Sequence, residues 1–167
     1  YFFFYSYLAG KMAASYIRGI QSQNVSACVK HFACNNQEMN RQTLDSVLDE
    51  RTLREIYLRP FEIAVKEATP KCLMSSYNLI NGTYANENPH VLVDILRNEW
   101  AYKGVVVTDW GGEDDRVQGL ICHNELEMPT TSGDTDLEII TAIKEGRIPE
   151  SLLDENVDSL LDLIFGR

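Results

Sequence analysis

Histidine is scarce in this sequence, its cysteines are not paired in spacing, and its basic residues are outnumbered. Each shortage removes a class of function. The three histidines, His31, His90 and His123, show no ligand spacing. The four cysteines, Cys28, Cys34, Cys72 and Cys122, contain no C-x-x-C pair, which argues against a zinc site. No metal and no cofactor is therefore expected. Lys and Arg total 15 against 25 for Asp and Glu, a formal net charge of −10, and the basic residues are scattered among acids. A nucleic-acid backbone or an anionic membrane would be repelled by that balance, so neither is expected as a partner. A neutral small molecule such as a sugar suits it. No apolar run approaches the roughly 20 residues that span a bilayer. The aromatic stretch Tyr1–Tyr7 has no basic lead and no cleavage pattern, so it does not read as a targeting signal. With no leading Met, the chain looks like an internal segment.

What is present is a folded-protein composition. The 167 residues are 44% hydrophobic and 24% charged, enough for one domain with a sizeable core. Apolar residues at helical spacing (Met12, Tyr16, Ile17, Ile20) predict a helix over Leu8–Gln23. Ala27-Cys28-Val29, ending at Lys30-His31, reads as a short buried parallel strand. Asp49 can cap a helix starting near Glu50, with Leu53, Ile56, Tyr57, Phe61, Ala64 and Val65 inward. Pro60 falls inside that pattern and predicts a kink or two abutting helices. Cys72-Leu73-Met74-Ser75 is the second strand, and Asn81-Gly82 is a turn signal. Asn88-Pro89 opens a helix to about Trp100, with Leu92, Ile95 and Leu96 inward. Val105 to Thr108 is an unbroken β-branched strand followed at once by Asp109. A short helix over Arg116–Ile121, a fourth strand at Leu126–Met128 stopped by Pro129, and helices over Thr135–Glu145 and Glu150–Phe165 complete the pattern. Gly146 is the expected C-cap between the last two. Cys28 and Cys72 fall in strands expected to be buried, where a reduced thiol acts as a small hydrophobe. That favours a reducing, cytoplasmic compartment.

Strand and helix alternate four times, which predicts a parallel sheet with helices outside. Four βα units are about half of a (β/α)8 TIM barrel, and this chain reads as roughly the second half. In such barrels the chemistry sits at the C-terminal ends of the strands. The polar residues at those ends are Lys30-His31, Ser75-Ser76-Tyr77, Asp109-Trp110 and Glu127. An Asp at a strand end is more commonly a capping or loop residue than a catalyst. The indole of Trp110 beside it shifts that balance, because a sugar presents apolar C–H faces to an aromatic wall. Lys30 and His31 are donors suited to sugar hydroxyls; a solvated lysine and a core histidine are the plainer readings. Arg41 could join them only if the loop after His31 folds back.

Together these segments resemble glycoside hydrolase family 3. The resemblance is carried by Lys30-His31-Phe32-Ala33-Cys34-Asn35-Asn36-Gln37-Glu38 with Asn40-Arg41, by Glu50-Arg51-x-Leu53-Arg54-Glu55-Ile56-Tyr57-Leu58 and by Met74-Ser75-Ser76-Tyr77-Asn78 with Asn81-Gly82. Thr108-Asp109-Trp110 and Leu126-Glu127-Met128-Pro129 match as well. It runs from about residue 8 to 165 and makes residues 1–167 one partial N-terminal barrel domain of the β-glucosidase-like branch. The resemblance implies a retaining exo-glycosidase with Asp109 as nucleophile. Lys30, His31 and Arg41 would bind sugar hydroxyls, and Met74, Tyr77 and Trp110 would line the pocket. Retaining hydrolysis needs a second carboxyl about 5–5.5 Å from the first, one attacking the anomeric carbon and the other serving as acid and base. Cations such as Lys30 or Arg41 would keep the nucleophile ionised.

That second carboxyl is not evident. The resemblance implies that a later domain supplies it. Glu38, Glu113 and Asp114 are local candidates, with solvated loop acids as the plainer reading. The first half of the barrel is also missing, and neither Tyr1–Tyr7 nor Cys122-His123-Asn124-Glu125 follows the family pattern. His123 therefore takes no family role. The isolated chain, with two open sheet edges, is expected to be insoluble, partly molten or associated with the missing half-barrel and a C-terminal domain. Three alternatives stand beside this one. The chain could be a catalytically incomplete module that only binds sugar or serves a structural role. It could be a Schiff-base aldolase using Lys30, or a metal-dependent hydrolase, against which the histidine spacing speaks.

Overall fold

A computed structural model describes residues 6–166. Tyr1–Tyr5 of the aromatic stretch lie outside the described residues. Helix α1 (Ser6–Gln21) leads into strand β1 (Cys28–Phe32). A long loop carries the two-residue strand β2 (Asp45–Ser46) to α2 (Glu50–Thr52), where Asp49 accepts the Thr52 amide at 2.8 Å as its cap. A π-helical turn, Leu53–Tyr57, continues α2, and the Leu58 amide closes it on the Leu53 carbonyl at 2.8 Å. Helix α3 (Arg59–Ala68) then starts afresh with Pro60 in its first turn, so the proline divides two abutting helices.

Strand β3 (Cys72–Ser75) is followed by a hairpin of β4 (Leu79–Ile80) and β5 (Thr83–Tyr84). Its turn residues Asn81 and Gly82 both have positive φ, 51° and 88°, as a two-residue type I′ turn requires. After a 3-10 turn at Ala85–Glu87, Asn88 caps the π-helical segment His90–Glu99 by accepting the Val91 amide at 3.1 Å. Strand β6 (Val105–Val107) follows, then α4 (Arg116–Ile121), α5 (Asp134–Lys144) and α6 (Glu150–Phe165). Gly146, at φ 71°, ends α5 as expected.

The architecture is mixed α/β with a parallel sheet ordered β1-β3-β6. Alternation sends Leu73 and Val106 to one face, where they join Phe32, Leu53, Leu58, Leu92, Ile95, Leu96 and Trp100 in the main core. Phe32 is fully buried there, edge-on to Phe61 at 5.1 Å and to Trp100 at 6.0 Å.

Several expectations change. Cys72, Met74, Val105 and Val107 form the other face of the sheet, and Leu160 and Leu163 of α6 pack against it. The helices are thus not confined to one side, because this second face is as apolar as the first and needs cover. Helix α1 buries Gly10, Ala14 and Ile17 rather than Met12 and Tyr16, which are 54% and 74% exposed. The small residues let α1 lie close to α3: a Cβ on Gly10 would sit 2.8 Å from Ile63. Ile56 faces outward instead of inward, being 41% exposed on the π-helical turn. Cys28 is exposed rather than buried, since β1 is an edge strand with no neighbour on its other side among the described residues.

The fourth strand shrinks to a single parallel bridge, Val107 to Leu126. A side chain takes the place of strand pairing there. The Glu125 carboxylate accepts the Val106 amide at 2.6 Å, while the Val106 carbonyl accepts the amides of Glu125 and Leu126 at 2.9 and 3.2 Å. Arg97 closes the same edge, donating to Glu125 at 2.7 Å and to the carbonyls of Gly104 and His123 at 2.7 and 2.8 Å.

Candidate active site

Asp109 follows β6 after Thr108, with a continuous β-branched strand behind it and only 8% of its surface exposed. One carboxylate oxygen accepts the amide of Trp110 at 2.8 Å. The other lies 3.3 Å from Nε2 of His31, which arrives from the end of β1. The β1–β3 register slips between Val29 and Phe32, an irregularity that re-aims side chains at the strand end. The peptide bonds Lys30–His31 and Phe32–Ala33 are both cis. Burial lowers the pKa of His31, and the negative charge of Asp109 only partly opposes this. The lowered pKa leaves the ring uncharged at neutral pH, 3.3 Å from the carboxylate.

Tyr77 completes the cluster. Its hydroxyl donates to the Trp110 carbonyl at 3.0 Å, and burial together with the Asp109 charge raises its pKa. The Arg41 guanidinium stacks 4.5 Å from the centre of the Tyr77 ring. The loop after β1 does fold back to bring it there. Strand β2 pairs in parallel with β4, and Asn81 clasps the backbone of Leu48 through its side chain, accepting at 2.9 Å and donating at 3.0 Å. Ser76 and Asn78 hold the Ala33 carbonyl at 2.7 and 3.2 Å, fixing the start of the same loop.

The structure thus gathers Asp109, His31, Tyr77 and Arg41. Lys30 is exposed on β1 and lines, with His31, Asn35, Tyr57 and Phe61, a cleft of about 320 Å³ beside them. Trp110 follows Asp109 directly but is 51% exposed. Met74 lies in the second-face cluster with Cys72, Val105 and Val107. Glu38 is exposed and paired with Arg41 at 2.8 Å, and Asp114 is exposed. His123 is half-buried, with burial lowering its pKa.

Glu113 is the unexpected acid. Its side chain is buried, 3.4 Å from Arg116, and one carboxyl oxygen has no hydrogen-bond partner among the described residues. The absence of a side chain on Gly119 makes room for the carboxyl. Burial pushes its pKa from 4.5 up to about 8, against the pull of Arg116. Between those values the folded chain holds a proton that the unfolded chain has lost, so stability falls as pH rises through that window. Glu113→Gln should therefore raise the urea midpoint of this segment more at pH 8 than at pH 5, as read by pulse proteolysis. A gain that does not change with pH would refute the assignment.

Sequence reading puts Ser75 at a strand end without a role and assigns none to Asn86 or Asn124, yet all three are fully buried beneath this cluster. The available signal was a pair of serines closing an otherwise apolar strand. Nothing in the spacing pointed to Asn86 or Asn124.

Residues 4–163 match the family model described as glycosyl hydrolase family 3 N terminal domain. Thermostable beta-glucosidase B of Acetivibrio thermocellus is 52% identical over 159 residues, which are 95% of this chain and 21% of that protein. An exo-alpha-(1->6)-L-arabinopyranosidase of Bifidobacterium longum is 42% identical, with 95% of this chain and 21% of that protein covered. Among solved structures, beta-glucosidase 3B from Thermotoga neapolitana in complex with alpha-D-glucose superposes with a TM-score of 0.89 at 45% identity. That match covers 93% of this chain and 23% of the other. The chain spans about a fifth of the length of the curated relatives it matches.

Proposed function

The chain belongs to glycosyl hydrolase family 3, and we propose that it supplies the nucleophile and part of the sugar pocket of a retaining, β-glucosidase-like exo-glycosidase. The reading is carried by one observation: a carboxylate at the end of a buried strand, 3.3 Å from a histidine ring on the next strand but one. Asp109 attacks the anomeric carbon and forms a glycosyl-enzyme that water then hydrolyses. Lys30, His31 and Arg41 hold sugar hydroxyls. Tyr77 and Trp110 line the pocket, and Met74 does so from the sheet face below.

Residues 1–167 are one partial barrel domain, roughly the second half of a (β/α)8 barrel with about four βα units, the last reduced to a bridge. The other half-barrel and a later domain bearing the acid/base complete the site. Two apolar helix stripes support that reading: Leu8, Met12 and Tyr16 on α1, and Val157, Leu161 and Ile164 on α6, all exposed here. The free edge of β1 supports it too.

The test replaces the matching segment of the A. thermocellus enzyme by residues 4–163 of this chain, giving a completed protein. Incubation with a 2-fluoro-glucosyl substrate, whose fluorine slows release of the covalent intermediate, should place the label on Asp109. A label on any other residue refutes the assignment.

A further inference from the structure

The turn that carries Asp109 is closed by the Gly112 amide donating to the Asp109 carbonyl at 3.0 Å, with Gly111 at φ 67°. It is tied from one side by the Gly111 amide, which donates to Met128 at 2.7 Å, and from above by the Tyr77 hydroxyl on Trp110. From beneath it rests on one side chain. The Asn86 amide nitrogen donates to the Gly112 carbonyl at 2.5 Å and to the Ser76 carbonyl at 3.1 Å. Gly112 closes the Asp109 turn, and Ser76 immediately precedes Tyr77. A single planar amide therefore spans the backbone of the carboxylate-bearing turn and the backbone that presents Tyr77.

That amide is itself held rigidly. The Ser75 hydroxyl bonds to the Asn86 side-chain oxygen and lies 3.1 Å from the Val107 carbonyl, one residue before Thr108. Asn124 donates to the Asn86 carbonyl at 2.9 Å and to the Ser75 hydroxyl at 3.3 Å. Ser75, Asn86 and Asn124 are fully buried, where a polar side chain is costly unless its bonds are made; of their side-chain polar atoms only the Asn124 oxygen lacks a partner among the described residues. Packing agrees: a Cβ on Gly112 would lie 3.0 Å from the Asn86 amide nitrogen and 3.1 Å from the Tyr77 ring.

We propose that Asn86 is a positioning residue for Asp109, its amide setting the carboxylate turn against the strand end that carries Tyr77. The inference rests on Asp109 being the attacking carboxylate. Asn86 touches no reacting atom; it acts by holding the nucleophile in register with the pocket.

The experiment uses the completed protein and its Asn86→Ala and Asn86→Asp variants. Asn86→Asp keeps the shape but removes both donated hydrogen bonds. The rate of covalent labelling by the 2-fluoro glucoside should fall by about 10²-fold in both, as misplacement of a reacting group on the order of 1 Å would cause. Inhibition by free glucose, which reports ground-state binding, should weaken by less than about threefold. Ile139→Ala, in the separate cluster under α5, serves as a variant that loses stability alone and should keep its labelling rate per folded molecule. Labelling of the Asn86 variants at the unsubstituted rate, or slowed no more than in Ile139→Ala, would overturn the proposal while leaving Asp109 as nucleophile. An unsubstituted protein labelled elsewhere, or not at all, would remove the nucleophile reading and this inference with it.

Discussion

Asp109→Gly in the completed protein should lower turnover of an aryl β-glucoside by about 10³-fold or more, while free glucose still binds. At about 1.36 kcal/mol per decade this is a loss of ~4 kcal/mol of transition-state stabilisation. The reason is geometric. The carboxylate stands at the end of β6 with one oxygen on the Trp110 amide and the other toward His31, so no neighbouring side chain occupies its place. The nearby Arg41 guanidinium, on the Tyr77 ring and paired with exposed Glu38, is no nucleophile. The glycine leaves a space the size of a small anion. Added azide should enter it, attack the anomeric carbon from the same side, and give a glycosyl azide of inverted configuration. Chromatography and proton NMR identify that product. Full activity in Asp109→Gly, or azide rescue giving the retained anomer, would show that another group attacks.

The second large effect concerns stability. Arg97→Ala should cost about 3–5 kcal/mol, because it strands a buried carboxylate. The Glu125 side chain is 1% exposed and that of Arg97 14%. Burial raises the Glu125 pKa, with Arg97 the strongest opposing influence. Without the guanidinium, Glu125 loses its cation and the carbonyls of Gly104 and His123 lose donors. The Val106 amide depends on the same carboxylate, so the loss spreads to the edge of β6. Adding Glu125→Gln to Arg97→Ala should recover part of the loss by removing the uncompensated charge. Urea midpoints by pulse proteolysis, with cleavage mapped to this segment, measure both. A cost under about 1 kcal/mol for Arg97→Ala would mean that the pair is solvated and the edge is held otherwise.

Glu125 also shows where sequence reading runs out. Leu126-Glu127-Met128 has the composition of a strand, and only one bridge forms. The carboxylate one residue earlier satisfies the amide that a strand would have paired, and its partner Arg97 is 28 residues away. Met12 and Tyr16 fit a helical period, yet the buried stripe is Gly10, Ala14 and Ile17. Periodicity finds the helix; the small residues facing α3 choose its inner side. Met74 lies within β3 among apolar side chains of the sheet and α6, a neighbourhood no strand pattern foretells.

What the sequence determined by itself is local. The β-branched run placed Asp109 at a strand end. Asp49, Asn88 and Gly146 marked helix ends, Pro60 divided a helix, and Asn81-Gly82 formed its hairpin turn. These follow from backbone dihedral limits and hydrogen bonds within a few residues, which any window of the chain reveals. Only the tertiary structure decided the rest. Arg41 reaches Tyr77 because β2 pairs with β4, and Glu125 replaces a strand because Arg97 comes to meet it. Asn86 grips Gly112 from 26 residues away. Burial sets the cost of every unmet polar group, and burial is a property of the assembled chain.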